Sequence, residues 1–491
     1  MASNSWTQTK IAIIGAGFGG LGMAVELRRT GEKNFLILEK HSDVGGVWRD
    51  NTYPGCTCDV PSHLYSFSFA PHNSHKQRYL PQQDILSYLR QVTDDNDLHQ
   101  HLQFGFEVSE ARFCPAQNDW EIMTASKQLI RADIVIFAVG QLHKSYYPEI
   151  PGLNDFGGQL IHSANWDPSI DLEGKRISII GTGSSAAQML PTLASVASEL
   201  TIYQHAPHWV LPKPKADFGR VSQLLLRFPG AQNAYRSMLS HGADILLSPI
   251  TRLDMWRSVV ESYAKHNLRR QVGREDLIQE LLPSYPIGSK RILFDNEFYS
   301  TLTLENVHLV TAPIDAISCR GIEVQNACIE ADIIVCATGF KASEFIVPMK
   351  VYGRVGHSLN ADWVKGAQAF MGLAVPGYPN LFMIAGPNTF NPAGSNPDMK
   401  ELQIAYILKC IQWKSRIGAQ AIELRQEAAK QHQVWLEEKM GKTVWPQSVN
   451  SWYKHESGRI TNPWPESRRV FARMLRTMPQ ESFRAVGSCV Y

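Results

Sequence analysis

Three glycines, Gly15, Gly17 and Gly20, follow the apolar run Ile11 to Ile14, and an acid, Glu39, stands roughly 20 residues further on. Glycines at this spacing hold a dinucleotide. Gly15 allows a tight turn, Gly17 lets a pyrophosphate approach the backbone, and Gly20 lets a helix pack closely on a strand. The helix that opens here offers its N–H groups and the positive end of its dipole to phosphates. Glu39 is placed to accept ribose hydroxyls and to repel a 2′-phosphate, which suits FAD or NAD.

The plan recurs. Gly181, Gly183 and Ala186 follow the run Lys175 to Ile180, and a second strand, LTIYQ, comes after the helix. No acid closes that strand. Gln204 and His205 stand where Glu39 stood, so the repulsion of a 2′-phosphate is gone and this half suits NADP. His205 is either a contact of that phosphate or a surface residue. Two dinucleotide sites in one chain imply hydride transfer from a nicotinamide to a flavin and electrons passed onward. A disulfide reductase would need a redox-active cysteine pair. The eight cysteines form no C-x-x-C, and Cys56 and Cys58 bracket a single residue. An oxygenase needs no protein redox group, because the flavin itself can carry a peroxide.

Each glycine turn needs a buried parallel strand before it and a helix after it, and both segments read that way. At 491 residues the chain is long enough for about two to four domains. Its 44% hydrophobic and 19% charged residues are those of a soluble globular protein. A net charge of +2 gives no global field for nucleic acid. The scattered cysteines point to reduced thiols and no metal site. MASNSWTQTKIAIIGAG lacks a basic region followed by a long apolar run, so no secretory leader is expected and the location reads as cytoplasmic. No apolar stretch approaches the ~20 residues of a membrane span. The two apolar segments VSQLLLRFPG (221–230) and ADILLSPI (243–250) are short and broken by Pro or Gly. They are the best candidates for surface attachment but read as buried helix, with a lid over an apolar substrate as the alternative. After Cys489 the tail is too short for a prenylation signal.

The stretch FGGQLIHSANWDP, 156–168, looks like a surface connection between the two glycine motifs, yet Phe156, Gly158, His162, Trp166 and Asp167 fit F-x-G-x-x-x-H-x-x-x-W-[PD]. It resembles the fingerprint of Baeyer–Villiger monooxygenases, a branch of the class B flavoprotein monooxygenases. GGVWRDNTYPGCTCD (45–59) fits a second pattern of the family. The resemblance continues through AVGQLHKSYYPEIPG, PIGSKRILFDNEFY, ATGF at 337–340, GYPNLFMIAGPNT and NSWYKHESGRITNPWP, and so covers nearly the whole chain.

The resemblance implies an α/β fold with two Rossmann-like domains, for FAD and NADP, and a helical insertion. It implies FAD and NADPH as cofactors, O2 as co-substrate and a small-molecule ketone as substrate, with an ester or lactone as product. Arg291 would carry the central electrostatic role, stabilising a flavin C4a-peroxide and the anion formed on attack; Asp59 would orient its guanidinium. Read from the residues alone, Lys290-Arg291 is a solvated pair. By the same resemblance Lys290 binds the 2′-phosphate, and Trp452 holds the nicotinamide half. Phe18, Val47, Trp48, Tyr65 and Val108 line FAD, and Thr182, Ser184, Ser185 and Gln188 meet the NADP pyrophosphate. The fingerprint would couple relative domain motion, with His162 either an anchor of that motion or a packed interdomain histidine.

Two departures stand out. Many relatives carry Arg at 205, where this chain has His. After GPNT, several relatives have a glycine–histidine–asparagine segment where this chain has FNPAGSNPD, 390–398, expected on the substrate side of the flavin. The expected division is 1–145 and 341–491 for FAD, 146–210 and 285–340 for NADP, and 211–284 as the helical insertion, in a monomer or weak homo-oligomer. An N- or S-oxygenating flavin monooxygenase is the alternative within the superfamily. A non-catalytic redox sensor or binding module is the alternative of another class.

Overall fold

The computed structural model describes residues 7–72, 76–228, 230–447 and 451–487. The tail around Cys489 lies outside the described residues. Two sheets organise the chain. In the first, strands run in the order Lys350–Tyr352, Val108–Cys114, Asp119–Thr124, Leu129–Phe137, Thr7–Ile14, Phe35–Glu39 and Leu102–Phe104, and Leu381–Met383 also pairs with Leu129–Phe137. In the second, Val307–Val310, Glu199–Tyr203, Arg176–Ile180, Ile333–Cys336 and Gln159–His162 are all parallel. Ile11, Ile13, Ile177 and Ile179 are fully buried, as continuous apolar strands covered on both faces must be. The fold is α/β with two Rossmann-like units.

The two units repeat down to single hydrogen bonds. The N–H of Gly15 donates to Leu38 O (2.8 Å) and the N–H of Gly181 to Tyr203 O (3.0 Å). Gly15 has φ +104° and Gly181 φ +110°. A Cβ on Gly15 would sit 2.7 Å from Ala138 O, and one on Gly181 would sit 2.6 Å from Ala337 O. Both positions therefore demand glycine for conformation and for space.

The fingerprint stretch is not a connecting loop. Gln159–His162 is the edge strand of the second sheet, with His162 beside Cys336. Gly158 leaves no room for a side chain, since a Cβ would meet Asp332 O at 2.4 Å and the Phe156 ring at 2.6 Å.

Residues 211–284 are mostly helical, with helices Ala231–Gly242, Asp254–Val272 and Glu275–Leu281. Here one expectation fails. The apolar segments 221–230 and 243–250 are not buried helix: Val221, Leu224, Leu225, Phe228, Ile245 and Leu246 all face solvent. Among the described residues of these segments, the apolar Leu226 and Ile250 do turn inward. Only one side of helix Asp254–Val272 is buried, through Ala264, Asn267, Leu268 and Val272. Among the described residues no helix is long and apolar enough to cross a membrane.

Candidate functional site

The first glycine turn opens onto a cleft. Gly15, Gly17, Phe18, Glu39, Val47, Tyr65 and Val108 all line it. Gly20 lies beneath, where a Cβ would fall 1.8 Å from Gly15 O. Trp48 is one step removed: its indole N–H donates to the Tyr65 hydroxyl at 3.3 Å, and Phe18 packs edge-on to the Tyr65 ring at 5.2 Å. Glu39 is almost fully buried, and its oxygens accept from the N–H of Ala16 (2.8 Å), the N–H of His41 (3.1 Å) and Arg49 Nη1 (3.1 Å). The carboxylate thus braces the glycine turn as well as facing the cavity, and Arg49 shares the wall with it.

Lys400 also lines this cavity. It lies one turn before Ile404, whose side chain packs at Gly22, which sets Lys400 level with the start of the helix Phe18–Arg29. Among the described residues it has no carboxylate partner, and burial pushes its ammonium down to about 8. An unpaired cation facing a backbone cradle fits a dinucleotide diphosphate.

At the second turn a Cβ on Gly183 would meet nothing within 4 Å, so the backbone is open to an approaching group. Ser184 and Ser185 begin the helix Ser184–Val196 and are half-buried. Thr182 is buried, its hydroxyl 3.5 Å from Ala206 O. The hydrogen-bond register makes Gln204, not His205, the counterpart of Glu39. Gln204 turns away, donating to Glu280 O at 2.8 Å. His205 follows, exposed. Gln188 is otherwise engaged: it accepts from Tyr53 OH (2.9 Å) and donates to Thr57 O (3.0 Å). Its amide clasps the 53–57 loop.

Arg291 and Asp59 meet where the two units face each other. They form a hydrogen-bonded ion pair, both side chains largely buried. The Trp445 indole holds Gly288 O at 3.0 Å and Glu261 accepts from the N–H of Ile287 at 2.9 Å, fixing the segment that carries Arg291. Burial would pull the guanidinium down, but Asp59 outweighs it and Arg291 is held above its ordinary value. The guanidinium lies 5.6 Å from the Phe390 ring centre, and Phe390 packs edge-on to Trp452 at 5.0 Å. Tyr453 is fully buried beside them, burial raises its phenol, and among the described residues its hydroxyl has no hydrogen-bond partner. Lys290 turns the other way, 4.9 Å from the Tyr285 ring centre, with burial pushing its ammonium down. Lys290, Tyr453, Asn391, Ile250 and Trp464 line a small second cavity.

The fingerprint residues make local packing and hydrogen-bond contacts. His162 is buried, its Nδ1 accepts from the N–H of Ala164 at 3.1 Å, and burial lowers its pKa, so it is neutral. Trp166 is buried and its carbonyl accepts from Thr52 Oγ1 at 3.3 Å, a link to the first unit. Asp167 is exposed and caps a turn through Ser169 at 2.6 Å and 2.9 Å. Cys56 and Cys58 are free and buried, and burial pushes the Cys56 thiol up to about 11. Protonated thiols make a poor redox pair. Among the described residues no His/Cys/Asp/Glu group is arranged to hold a metal.

Sequence reasoning missed Arg49, Lys400, Tyr453 and the diverted role of Gln188. Lys400 and Tyr453 are placed by packing between segments far apart in the chain, whereas Arg49 is held by its near neighbours Glu39, Asp43 and Asp50.

Residues 8–293 match the family model described as "Flavin-binding monooxygenase-like". A Baeyer-Villiger monooxygenase of Streptomyces coelicolor is 36% identical over 483 residues, covering 97% of this chain and 92% of the relative. Another Baeyer-Villiger monooxygenase, of Pseudomonas aeruginosa, is 36% identical over 478 residues, 96% and 91% of the two chains. A cyclohexanone monooxygenase from Rhodococcus sp. Phi1, solved bound to NADP+, superposes with a TM-score of 0.88 at 25% identity, covering 99% of this chain and 100% of that one. The chain belongs to the flavin-binding monooxygenase-like family, in its Baeyer–Villiger branch.

Proposed function

We propose that this protein uses FAD, NADPH and O2 to insert one oxygen atom beside a ketone carbonyl. Ketone, O2, NADPH and a proton give ester or lactone, water and NADP+. The observation that carries this reading is the largely buried Arg291–Asp59 pair, set where the two dinucleotide units face each other.

The Gly15–Gly20 turn, Glu39, Arg49 and Lys400 would hold FAD, and the Gly181–Ser185 turn with Lys290 would hold NADPH. Bound FAD supplies the redox chemistry that side chains lack, taking hydride from NADPH and delivering electrons to O2. Arg291 keeps a permanent positive charge where negative charge gathers on oxygen, and it has no proton to give up. Asp59 fixes its orientation. Phe390 walls the guanidinium and Trp452 backs Phe390 edge-on. Without an acid at Gln204, the preference for NADPH rests on Lys290 and on the missing repulsion.

The pairing of strands 350–352 and 381–383 with the first sheet, and of 307–310 and 333–336 with the second, supports the division into 1–145 with 341–491 and 146–210 with 285–340. The buried, protonated thiols suit a reducing cytoplasm. The test is ketone-dependent NADPH oxidation by purified protein, with ester identified in the product.

A further inference from the structure

Of the 20 large apolar side chains exposed among the described residues, 11 fall between Val221 and Tyr263. That segment is less than a tenth of the chain, so the exposure is concentrated rather than scattered.

The arrangement is two-sided. Arg236 pins the inner side of helix Ala231–Gly242 by donating to the carbonyls of His63 (2.9 Å) and Ser66 (2.7 Å). Met238 and, one and two turns on, His241 and Ile245 lie on the outer side, exposed. The Trp256 indole donates to Leu246 O at 2.8 Å, which brings the start of helix Asp254–Val272 against Ile245–Leu246. Met255 (84% exposed) and Val259, one turn apart, extend the apolar surface beyond that bond. Ahead of them Val221 (73%), Leu224, Leu225 and Phe228 (60%) form a further outward set.

Charge selects the occupant. Residues 220–263 carry five Arg against two Asp and one Glu, a net of +2, so this small face alone matches the net charge of the whole chain. Of the basic groups, Arg236, Arg252 and Arg257 have carboxylate partners. Lys215, Arg220 and Arg227 are exposed, with no ion pair among the described residues, and flank the first apolar set. Exposed Asp217 lies nearby, and Asp254 is paired with Arg257. A second copy docked face to face would set basic against basic. An anionic lipid surface satisfies both features, taking the apolar side chains at the acyl boundary and the arginines among the headgroups.

We propose that the outer face of residues 220–263 docks the protein peripherally on an anionic bilayer. The chain turns inward directly after Leu246, and Leu247, Ser248 and Ile250 line the small cavity beside Lys290 and Tyr453. Docking therefore sets that cavity close to the lipid. The proposal is independent of the reaction inferred above.

The test is co-sedimentation of the full chain with vesicles of phosphatidylcholine alone or with 30% phosphatidylglycerol, at 0.1 M and 0.5 M NaCl. The expected result is binding to the anionic vesicles, at least tenfold weaker without phosphatidylglycerol and weakened by salt. Leu224→Ser/Phe228→Ser and, separately, Arg220→Glu/Arg227→Glu should each lower binding about tenfold. Unchanged melting curves would show that these surface variants still fold. Met255→Ser/Val259→Ser gives a second, independent apolar test. No sedimentation with anionic vesicles overturns the proposal, as does equal binding by all variants. A concentration-dependent dimer that Leu224→Ser/Phe228→Ser abolishes, without vesicle binding, would assign the face to a second copy instead.

Discussion

Tyr53 donates its phenolic proton to Gln188 Oε1 across 2.9 Å, joining a loop of the first nucleotide unit to the helix that follows the second glycine turn. The same oxygen accepts from the N–H of Thr57 at 3.3 Å, and the amide donates to Thr57 O at 3.0 Å. One side chain therefore sets the seat of one unit on the other. Gln188→Ala leaves the buried Tyr53 hydroxyl and the Thr57 groups without this partner, at a cost of about 2–3 kcal/mol. Thermal melting should show the loss, while NADP+ affinity changes by less than threefold. A tenfold loss of NADP+ affinity with unaltered stability would return Gln188 to the pyrophosphate.

Arg291→Ala should let NADPH oxidation continue within about threefold and lower ester yield at least 100-fold, the scale set by removing one preorganised charge from an oxyanion site. Arg291→Lys should fall between, because an ammonium keeps the charge but loses the fork that matches Asp59. NADPH absorbance and product analysis in one reaction separate the two effects. Ester yield within threefold of the parent would remove Arg291 from the chemistry.

Lys400→Met should weaken FAD retention at least tenfold, read as flavin per chain after gel filtration. A pH signature accompanies it. With its folded value lowered to about 8, Lys400 holds fewer protons folded than unfolded between pH 8 and its ordinary 10.5. Flavin-free protein should thus gain stability as pH rises through that window, and the gain should vanish in Lys400→Met. Equal profiles would mean that Lys400 is not a buried cation.

His432 is the acid-sensitive point. It is buried, burial lowers its pKa to about 4, and its Nε2 accepts from the N–H of Met371 at 3.1 Å, a bond that needs the neutral ring. The unfolded chain binds this proton first, so stability falls as pH drops from 6.5 towards 4, by roughly 3 kcal/mol. Melting temperature against pH should fall less steeply for His432→Gln than for the parent.

The glycine turns were legible because their meaning is local: a strand, a turn and a helix within 30 residues fix what Gly15 and Gly181 must do. Arg291 and Asp59 are 232 positions apart, and only the family resemblance connected them before the fold did. Lys400 reads as an ordinary surface lysine on a long helix, and its direction depends on how Ile404 meets Gly22. Gln188 sits at a phosphate-binding place by spacing, yet the 53–57 loop captures its amide. The apolar run 221–230 misled because hydropathy reports the preference of a side chain and not whether a neighbour exists to cover it.

The most direct test of the central claim is to supply flavin-loaded protein with NADPH, ¹⁸O2 and a panel of linear, cyclic and aryl ketones, and to read the products by mass spectrometry. The account predicts an ester or lactone carrying one labelled oxygen, absent in Arg291→Ala. Labelled amine or thioether oxides from a parallel panel, with no ester from any ketone, would contradict it.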